Sequence, residues 1–379
     1  MDEPAGIKSS KYLPQVDGLR GLCLLFVYLH HSWVFGLPPG TSLDPNSIFL
    51  GLVEYGWVGV VFFFTLSGFL ITRILRSSRG DEHYYRNFYI RRSLRIFPVY
   101  YGFLIGMLLL AISVLAVRPG WGMFSDMLSV WPWALIYGLN FHFVWVGAWS
   151  ATLIGHAWSL CVEEQFYLIW PFFVRWRGRS GLFKVSVAMC AAAFALRILL
   201  AANGLPEVIS RVLTPAVADG FGFGALAALL AEKPQPGLAR RAFIASSVVF
   251  AVSFVAAQKL IPENPLYFSD AFPLIAAVWF GTLLWWAAVA EPRALGVFAA
   301  RAPRNLGRSS YVMYLLHQPL FVLFGLPVTS LVIRWFAVSL PVAIVVSAVI
   351  FLIPTWLASN VVYHFYERRF LALKSKVHA

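Results

Sequence analysis

Charge is scarce in this sequence. Of its 379 residues only 12% are Asp, Glu, Lys or Arg, about half the fraction a soluble chain carries, while 60% are hydrophobic. Acidic residues are scarcer still, 17 against 30 Lys and Arg. The basic excess falls between apolar segments and not on one aromatic-interleaved patch, so nucleic acid is not an expected partner. Cysteine is rare. Cys23, Cys161 and Cys190 are an odd number, all in or beside apolar runs, which implies no disulfide framework and reads as buried small hydrophobes. No long polar stretch exists to form an appended soluble domain or a linker, so residues 1–379 read as one transmembrane domain with short tails. Nucleophile-elbow GxSxG, zinc HExxH, Walker loops and paired metal-ligand spacings are all missing. No metal and no permanently bound cofactor is expected.

What is present is a series of apolar segments, with 15 Trp and 15 Tyr suited to membrane interfaces. Ten candidate spans emerge: 18–37, 56–76, 97–117, 157–175, 182–202, 214–231, 242–258, 270–290, 309–330 and 336–358. The expected fold is all-α and polytopic. Charge orients it. With both termini in the cytoplasm, the inside segments hold 25 of the 30 Lys and Arg; Arg118, Arg211, Lys259 and Arg334 lie outside and Arg197 within a span. Counting 121–150 as an eleventh span would put the basic cluster 175–179 outside, so that segment is expected as a partly buried outer-face piece held by Pro132 and its Trp residues. The polar N-terminus with Lys8 and Lys11 runs into the first span without a small-residue cleavage site, which reads as a retained helix.

The first span carries the strongest chemical signal. Arg20 and His31 are eleven positions apart, which puts them on nearly one helix face and about 16 Å apart along the axis. The plain readings are a snorkelling anchor for Arg20 and an interhelical hydrogen bond for His31. Sharing one face in an apolar helix, they read together as a functional pair facing protein or a water-filled cavity. Asp17, three residues before Arg20, could hold it in place. His30 points about 100° away from His31.

Other polar groups sit where lipid makes them costly. Ser67-Gly68 interrupts the second span, where close helix packing is the plain role. Seven arginines lie between Arg73 and Arg95. Arg92 and Arg95 are helix neighbours at the cytoplasmic surface, suited either to anionic lipid or to clamping phosphates of a soluble donor. The stretch 156–171 puts His156, Trp158, Glu163 and Glu164 at or within a span, and two adjacent glutamates there call for a partner or a function. Arg197 and Asp219, in the fifth and sixth spans, could form a buried pair. In the ninth span His317 lies beside Pro319. Asp17, Ser67, His156, Trp158, Glu164, Asp219 and His317 are candidate supporting or substrate-binding residues.

Five stretches in order, VDGLRG with a His eleven residues after its Arg, FFFTLSGFLI, FYIRRSLRIFPVYY, HAWSLCVEEQFYLIWP and SYVMYLLHQPL, together resemble the acyltransferase-3 family of multispan bacterial membrane O-acyltransferases. These enzymes modify sugars of lipopolysaccharide, peptidoglycan, exopolysaccharides and some antibiotics. The resemblance implies ten transmembrane helices in the bacterial cytoplasmic membrane. It matches Arg20 and His31 to the family's first-helix Arg-His motif, Arg92 and Arg95 to its paired arginines, and Glu163 to its WSL-x-VEEQFY glutamate. His30 stands where relatives often have Tyr or Phe. The C-terminal YHFYERRF lacks the family's Pro, so no role passes to Glu367.

The mechanism this implies takes the acyl group, acetyl in the simplest case, from cytoplasmic acyl-CoA. The donor's phosphates meet Arg92, Arg95 and Arg20. His31 is the general base toward a sugar or glycoconjugate hydroxyl, with direct transfer and an acyl-His intermediate both open. Glu163 or Glu164 orients His31 or the acceptor. Membrane lipid is the remaining partner. The competing class is a secondary transporter using Arg20, Glu163 and Arg197; the paired, symmetry-related broken helices that would favour it are not found.

Overall fold

The computed structural model describes residues 13–38, 48–149, 153–259, 271–291 and 294–373. The expectation for Lys8 and Lys11 lies outside these residues. All regular structure among the described residues is helical. In chain order the helices are α1 (Pro14–Gly36), α2 (Ile48–Glu54), α3 (Val58–Ser77), α4 (Tyr84–Val117), α5 (Gly122–Leu135), α6 (Leu139–Val146), α7 (Trp158–Trp176), α8 (Arg179–Ala202), α9 (Glu207–Val212), α10 (Ala218–Ala231), α11 (Pro236–Lys259), α12 (Phe272–Val289), α13 (Gly296–Ala299), α14 (Arg301–Phe336), α15 (Leu340–Val362) and α16 (Arg368–Leu373).

Eight helical stretches among the described residues, those built on α3, α4, α8, α10, α11, α12, α14 and α15, are long and apolar enough to cross a membrane. The outward faces fit lipid. On α11, Ile244, Val248, Val252 and Val255 repeat at helical spacing and are 50–64% exposed, a stripe that water would penalise and hydrocarbon does not. The protein is an all-α, multi-pass membrane protein. Two of the ten expected spans fall short of the apolar requirement, α1 with 23 residues and α7 with 19. They carry Arg20, His30 and His31 in one case and Glu163 and Glu164 in the other, and both turn much of that polar surface inward.

Several boundaries differ from expectation. The third span was expected over 97–117, but its helix begins at Tyr84, so α4 is 34 residues long with Pro98 inside it. Arg92 and Arg95 therefore stand on the helix itself. Tyr311 and Tyr366 donate to the carbonyls of Ile96 and Pro98 in the same turn of the helix. The ninth span is a 36-residue helix, α14, with Pro319 and Pro327 inside it. Segment 121–150 contributes α5 and α6, of 14 and 8 residues, neither long enough to cross.

Small residues set the helix approaches that build the site. A Cβ on Gly307 of α14 would lie 1.7 Å from the carbonyl oxygen of Asp17, and one on Gly68 of α3 would lie 2.1 Å from that of Phe221 in α10. Only glycine allows these backbones to touch. The first contact seats α1 against α14 along their length; the second presses α3 onto α10. At one end of the bundle Glu232 joins Arg76 at 2.8 Å and Arg179 at 3.5 Å, gathering the basic ends of α3 and α8. Cys23, Cys161 and Cys190 are buried free thiols.

Candidate active site

The α1–α14 contact brings together two imidazoles far apart in sequence. Nδ1 of His31 lies 2.8 Å from Nε2 of His317, and Nδ1 of His317 lies 2.5 Å from the Tyr314 carbonyl oxygen. A carbonyl can only accept, so His317 carries its proton on Nδ1. Its Nε2 is then an acceptor, and His31 donates to it from Nδ1. The remaining nitrogen of His31, Nε2, is left with a lone pair. The His31 ring stacks on Phe35 at 5.6 Å, and the His317 ring on Tyr28 at 5.1 Å. Tyr28 is itself held by its hydroxyl on the Met313 carbonyl and Thr355. Both imidazoles are fixed by packing as well as by hydrogen bonds.

His31 lines a cavity of about 410 Å³, the histidine cavity, together with His30, His156, Trp57, Trp149 and Trp158. His30 donates from Nδ1 to the Val53 carbonyl at 3.2 Å. His156, 3% exposed, donates from Nε2 to the Leu315 carbonyl at 3.1 Å, and its Nδ1 has no hydrogen-bond partner. Arg197 and Asp219 form a buried ion pair at 2.6 Å in the same wall. Asp219 also accepts from the Gly220 amide, and Arg197 donates to the Ala216 carbonyl.

A second cavity, of about 100 Å³, is lined by Arg20, Arg92, Arg95, Ser67, Glu163 and Tyr167. Three guanidinium groups face one carboxylate, so this arginine cavity favours an anion. Glu163 accepts from Ser67 at 3.0 Å and from Tyr167 at 2.9 Å, and the two hydroxyls lie 2.8 Å apart. Arg92 lies over the Tyr167 ring at 3.9 Å. Arg20 Nε, Arg92 Nε and the Ser310 hydroxyl are buried in this region without hydrogen-bond partners. Val60, Phe64 and Tyr314 line both cavities and separate them. Tyr314 is placed by its hydroxyl, 2.7 Å from Ser159 Oγ, while its carbonyl holds His317.

The expected site residues thus divide into two chambers. Arg20, Arg92, Arg95, Ser67 and Glu163 line one; His31, His156, Trp158 and Asp219 line the other, with His317 behind His31. The orienting role expected of Glu163 or Glu164 toward His31 is corrected: Glu163 is tied to Ser67 and Tyr167 in the arginine cavity, Glu164 lines neither cavity, and His317 holds His31. Asp17, expected to steady Arg20, reaches Arg308 at 3.5 Å. Arg197 and Asp219 do pair. Tyr167, Tyr314 and Ser310 were not singled out in the sequence. For Tyr167 a signal existed, since it follows Glu163 by four residues and so shares its helix face. Among the described residues no three His, Cys, Asp or Glu side chains converge as metal ligands.

The profile of the acyltransferase-3 family, described as an acyltransferase domain, matches residues 13–358. The chain is 27% identical over 341 residues to the putative peptidoglycan O-acetyltransferase YrhL of Bacillus subtilis, covering 83% of this chain and 49% of that protein. It is 26% identical over 339 residues to the peptidoglycan O-acetyltransferase OatA of Listeria monocytogenes, covering 83% and 50%. A putative O-acetyltransferase of Staphylococcus aureus is 28% identical over 174 residues, covering 43% of this chain and 25% of that protein. The chain therefore spans about half the length of YrhL and OatA. No solved structure matches.

Proposed function

The chain belongs to the acyltransferase-3 family, and from that premise we propose that it moves an acyl group, acetyl as in the names of its relatives, from acyl-CoA to a hydroxyl of a sugar or glycoconjugate. The observation that carries this reading is the pair of chambers meeting at Tyr314, one cationic and one holding a histidine with a free lone pair.

In the arginine cavity, Arg20, Arg92 and Arg95 bind the donor's phosphates. Buried donors left unpaired cost about 1–3 kcal/mol each; an anionic ligand meeting Arg20 Nε, Arg92 Nε and Ser310 Oγ would recover that cost. The thioester then reaches toward Val60, Phe64 and Tyr314. From the histidine cavity the acceptor hydroxyl gives its proton to His31 Nε2 as its oxygen bonds to the thioester carbonyl carbon. The carbon–sulfur bond breaks, and the thiolate leaves with the proton returned by His31. His317 steadies the transient imidazolium through the Nδ1–Nε2 hydrogen bond. Glu163, held by Ser67 and Tyr167, balances the guanidinium charge beside the donor.

This assignment places the arginine cavity toward the cytoplasm, where acyl-CoA is made, and the histidine cavity toward the outer side of a bacterial cytoplasmic membrane. Both termini are then cytoplasmic, in line with the distribution of Lys and Arg. The acceptor class follows from the relatives' names, which specify peptidoglycan for YrhL and OatA.

The test is direct. Purified protein in lipid nanodiscs is titrated with acetyl-CoA, and the Arg92→Ala/Arg95→Ala double variant is titrated in parallel. Saturable binding by the native protein that weakens at least tenfold in the variant supports the proposal. Absence of binding to the native protein refutes it.

A further inference from the structure

We infer that His156 Nδ1 is a second recognition atom of the acceptor site, selecting sugars in which the reacting hydroxyl is flanked by another hydrogen-bond donor, a neighbouring hydroxyl or an acetamido N–H. The inference rests on the acyl-transfer reading above and adds a substrate class and a specificity residue to it.

His156 is 3% exposed, and its Nε2 lies 3.1 Å from the Leu315 carbonyl oxygen. That carbonyl can only accept, so a neutral His156 carries its proton on Nε2 and a lone pair on Nδ1. Nδ1 is buried and has no partner. A buried acceptor without a donor is costly, and such groups in folded proteins call for an explanation. Here the ring belongs to the wall of the histidine cavity, where a ligand can supply the donor.

Its location ties it to the reacting centre. The rings of His31 and His156 both pack against His317, with centroids 4.7 and 5.1 Å away. The same cavity is therefore walled by two rings that each carry an imidazole lone pair, on His31 Nε2 and His156 Nδ1. Trp57, Trp149 and Trp158 supply flat apolar walls of the kind that suit the C–H face of a sugar ring. A hydroxyl giving its proton to His31 and an adjacent donor bonded to His156 would fix which hydroxyl of the sugar attacks. The two histidines are not equivalent. His31 is backed by an imidazole that steadies positive charge, whereas His156 is backed by a neutral carbonyl and serves as a hydrogen-bond acceptor.

Two substitutions separate this role from a structural one. His156→Asn can present an amide oxygen near the position of Nδ1. His156→Gln can keep a donor near the position of Nε2, on the Leu315 carbonyl. Cells carrying the native chain, either variant or His156→Ala as the only copy are assayed for base-labile acetate on envelope glycans. Each purified protein is titrated with acetyl-CoA. The expected result is acetate within about twofold of native for His156→Asn, a loss of tenfold or more for His156→Gln and His156→Ala, and unchanged acetyl-CoA binding throughout. Native acetate in all three variants, rescue by Gln in place of Asn, equal loss in Asn and Gln, or loss of acetyl-CoA binding would each overturn the inference. Absence of base-labile acetate with the native chain would instead refute the acyl-transfer reading beneath it.

Discussion

His31 on α1 and His317 on α14 are joined by a 2.8 Å hydrogen bond between Nδ1 and Nε2. The direction of that bond is set one step further away, at the Tyr314 carbonyl, which fixes the tautomer of His317. The pair has the logic of a base and its orienter, with an imidazole in the place a carboxylate often takes. His317→Leu removes the acceptor that holds His31, and kcat should fall by about 10²-fold. His317→Gln, whose amide oxygen can accept from His31 Nδ1, should recover part of that loss. Steady-state kinetics with acetyl-CoA check both, and the donor KM should stay unchanged.

Arg92 is predicted to act as a planar fork as well as a charge. It lies over the Tyr167 ring at 3.9 Å while Tyr167 donates to Glu163 at 2.9 Å. Arg92→Lys keeps the charge and loses the fork and much of the stacking. The apparent KM for acetyl-CoA should rise about tenfold, corresponding to about 1.4 kcal/mol. Tyr167→Phe leaves the ring under Arg92 and removes a donor to Glu163, so its effect on donor KM should be smaller. Initial-rate measurements across acetyl-CoA concentrations distinguish the two variants.

The buried Arg197–Asp219 pair is predicted to matter for stability more through its breakage than its presence. Removing one partner strands the other charge inside the bundle, at a cost of about 3–5 kcal/mol. Arg197→Leu and Asp219→Leu should each lower the thermal midpoint in detergent substantially. The double variant should be less destabilised than the sum of the two, since neither charge is then stranded. Thermal unfolding followed by tryptophan fluorescence tests this non-additivity.

Helix approach at Gly307 is predicted to be stringent. Even alanine there would put its Cβ 1.7 Å from the Asp17 carbonyl oxygen, so α1 must move off α14. Gly307→Ala should lower folded yield or, where the protein folds, reduce kcat by displacing His31 from His317. Gly106 on α4, whose Cβ position meets nothing within 4 Å, is the control, and Gly106→Ala should leave both yield and rate unchanged. Size-exclusion profiles and initial rates report the difference.

Much of the molecule was legible in its sequence, and the reasons differ by level. Apolar runs and the distribution of Lys and Arg located the membrane helices, because a bilayer imposes length and composition on any segment that crosses it. Arg20, His31, Arg92, Arg95 and Glu163 stood out because ionisable groups in such segments are costly. The grouping of Arg20 with Arg92 and Arg95 was expected, and the three line one cavity; the pairing of His31 with His317 was not legible. His31 and His317 are 286 positions apart, and their contact follows from glycine-mediated packing of α1 on α14 that spacing within one helix does not encode. The same limit hid that Glu163 is held by Ser67 and Tyr167 on the arginine side and that His317, not Glu163, holds His31. The early start of α4 was hidden by its arginines, which read as surface anchors, and by Pro98, which reads as a helix start in water but is accommodated inside a packed bundle.

In the proposed acyl transfer His31, not its neighbour His30, takes the proton of the acceptor hydroxyl. Both line the same cavity, but only His31 donates to a second imidazole. Transfer of label from acetyl-CoA to membrane glycan, measured with His31→Ala and His30→Ala at matched expression, decides it. The expected result is a loss of about 10²-fold or more for His31→Ala, with acetyl-CoA binding intact, and a much smaller change for His30→Ala. Native transfer rates in His31→Ala would contradict it.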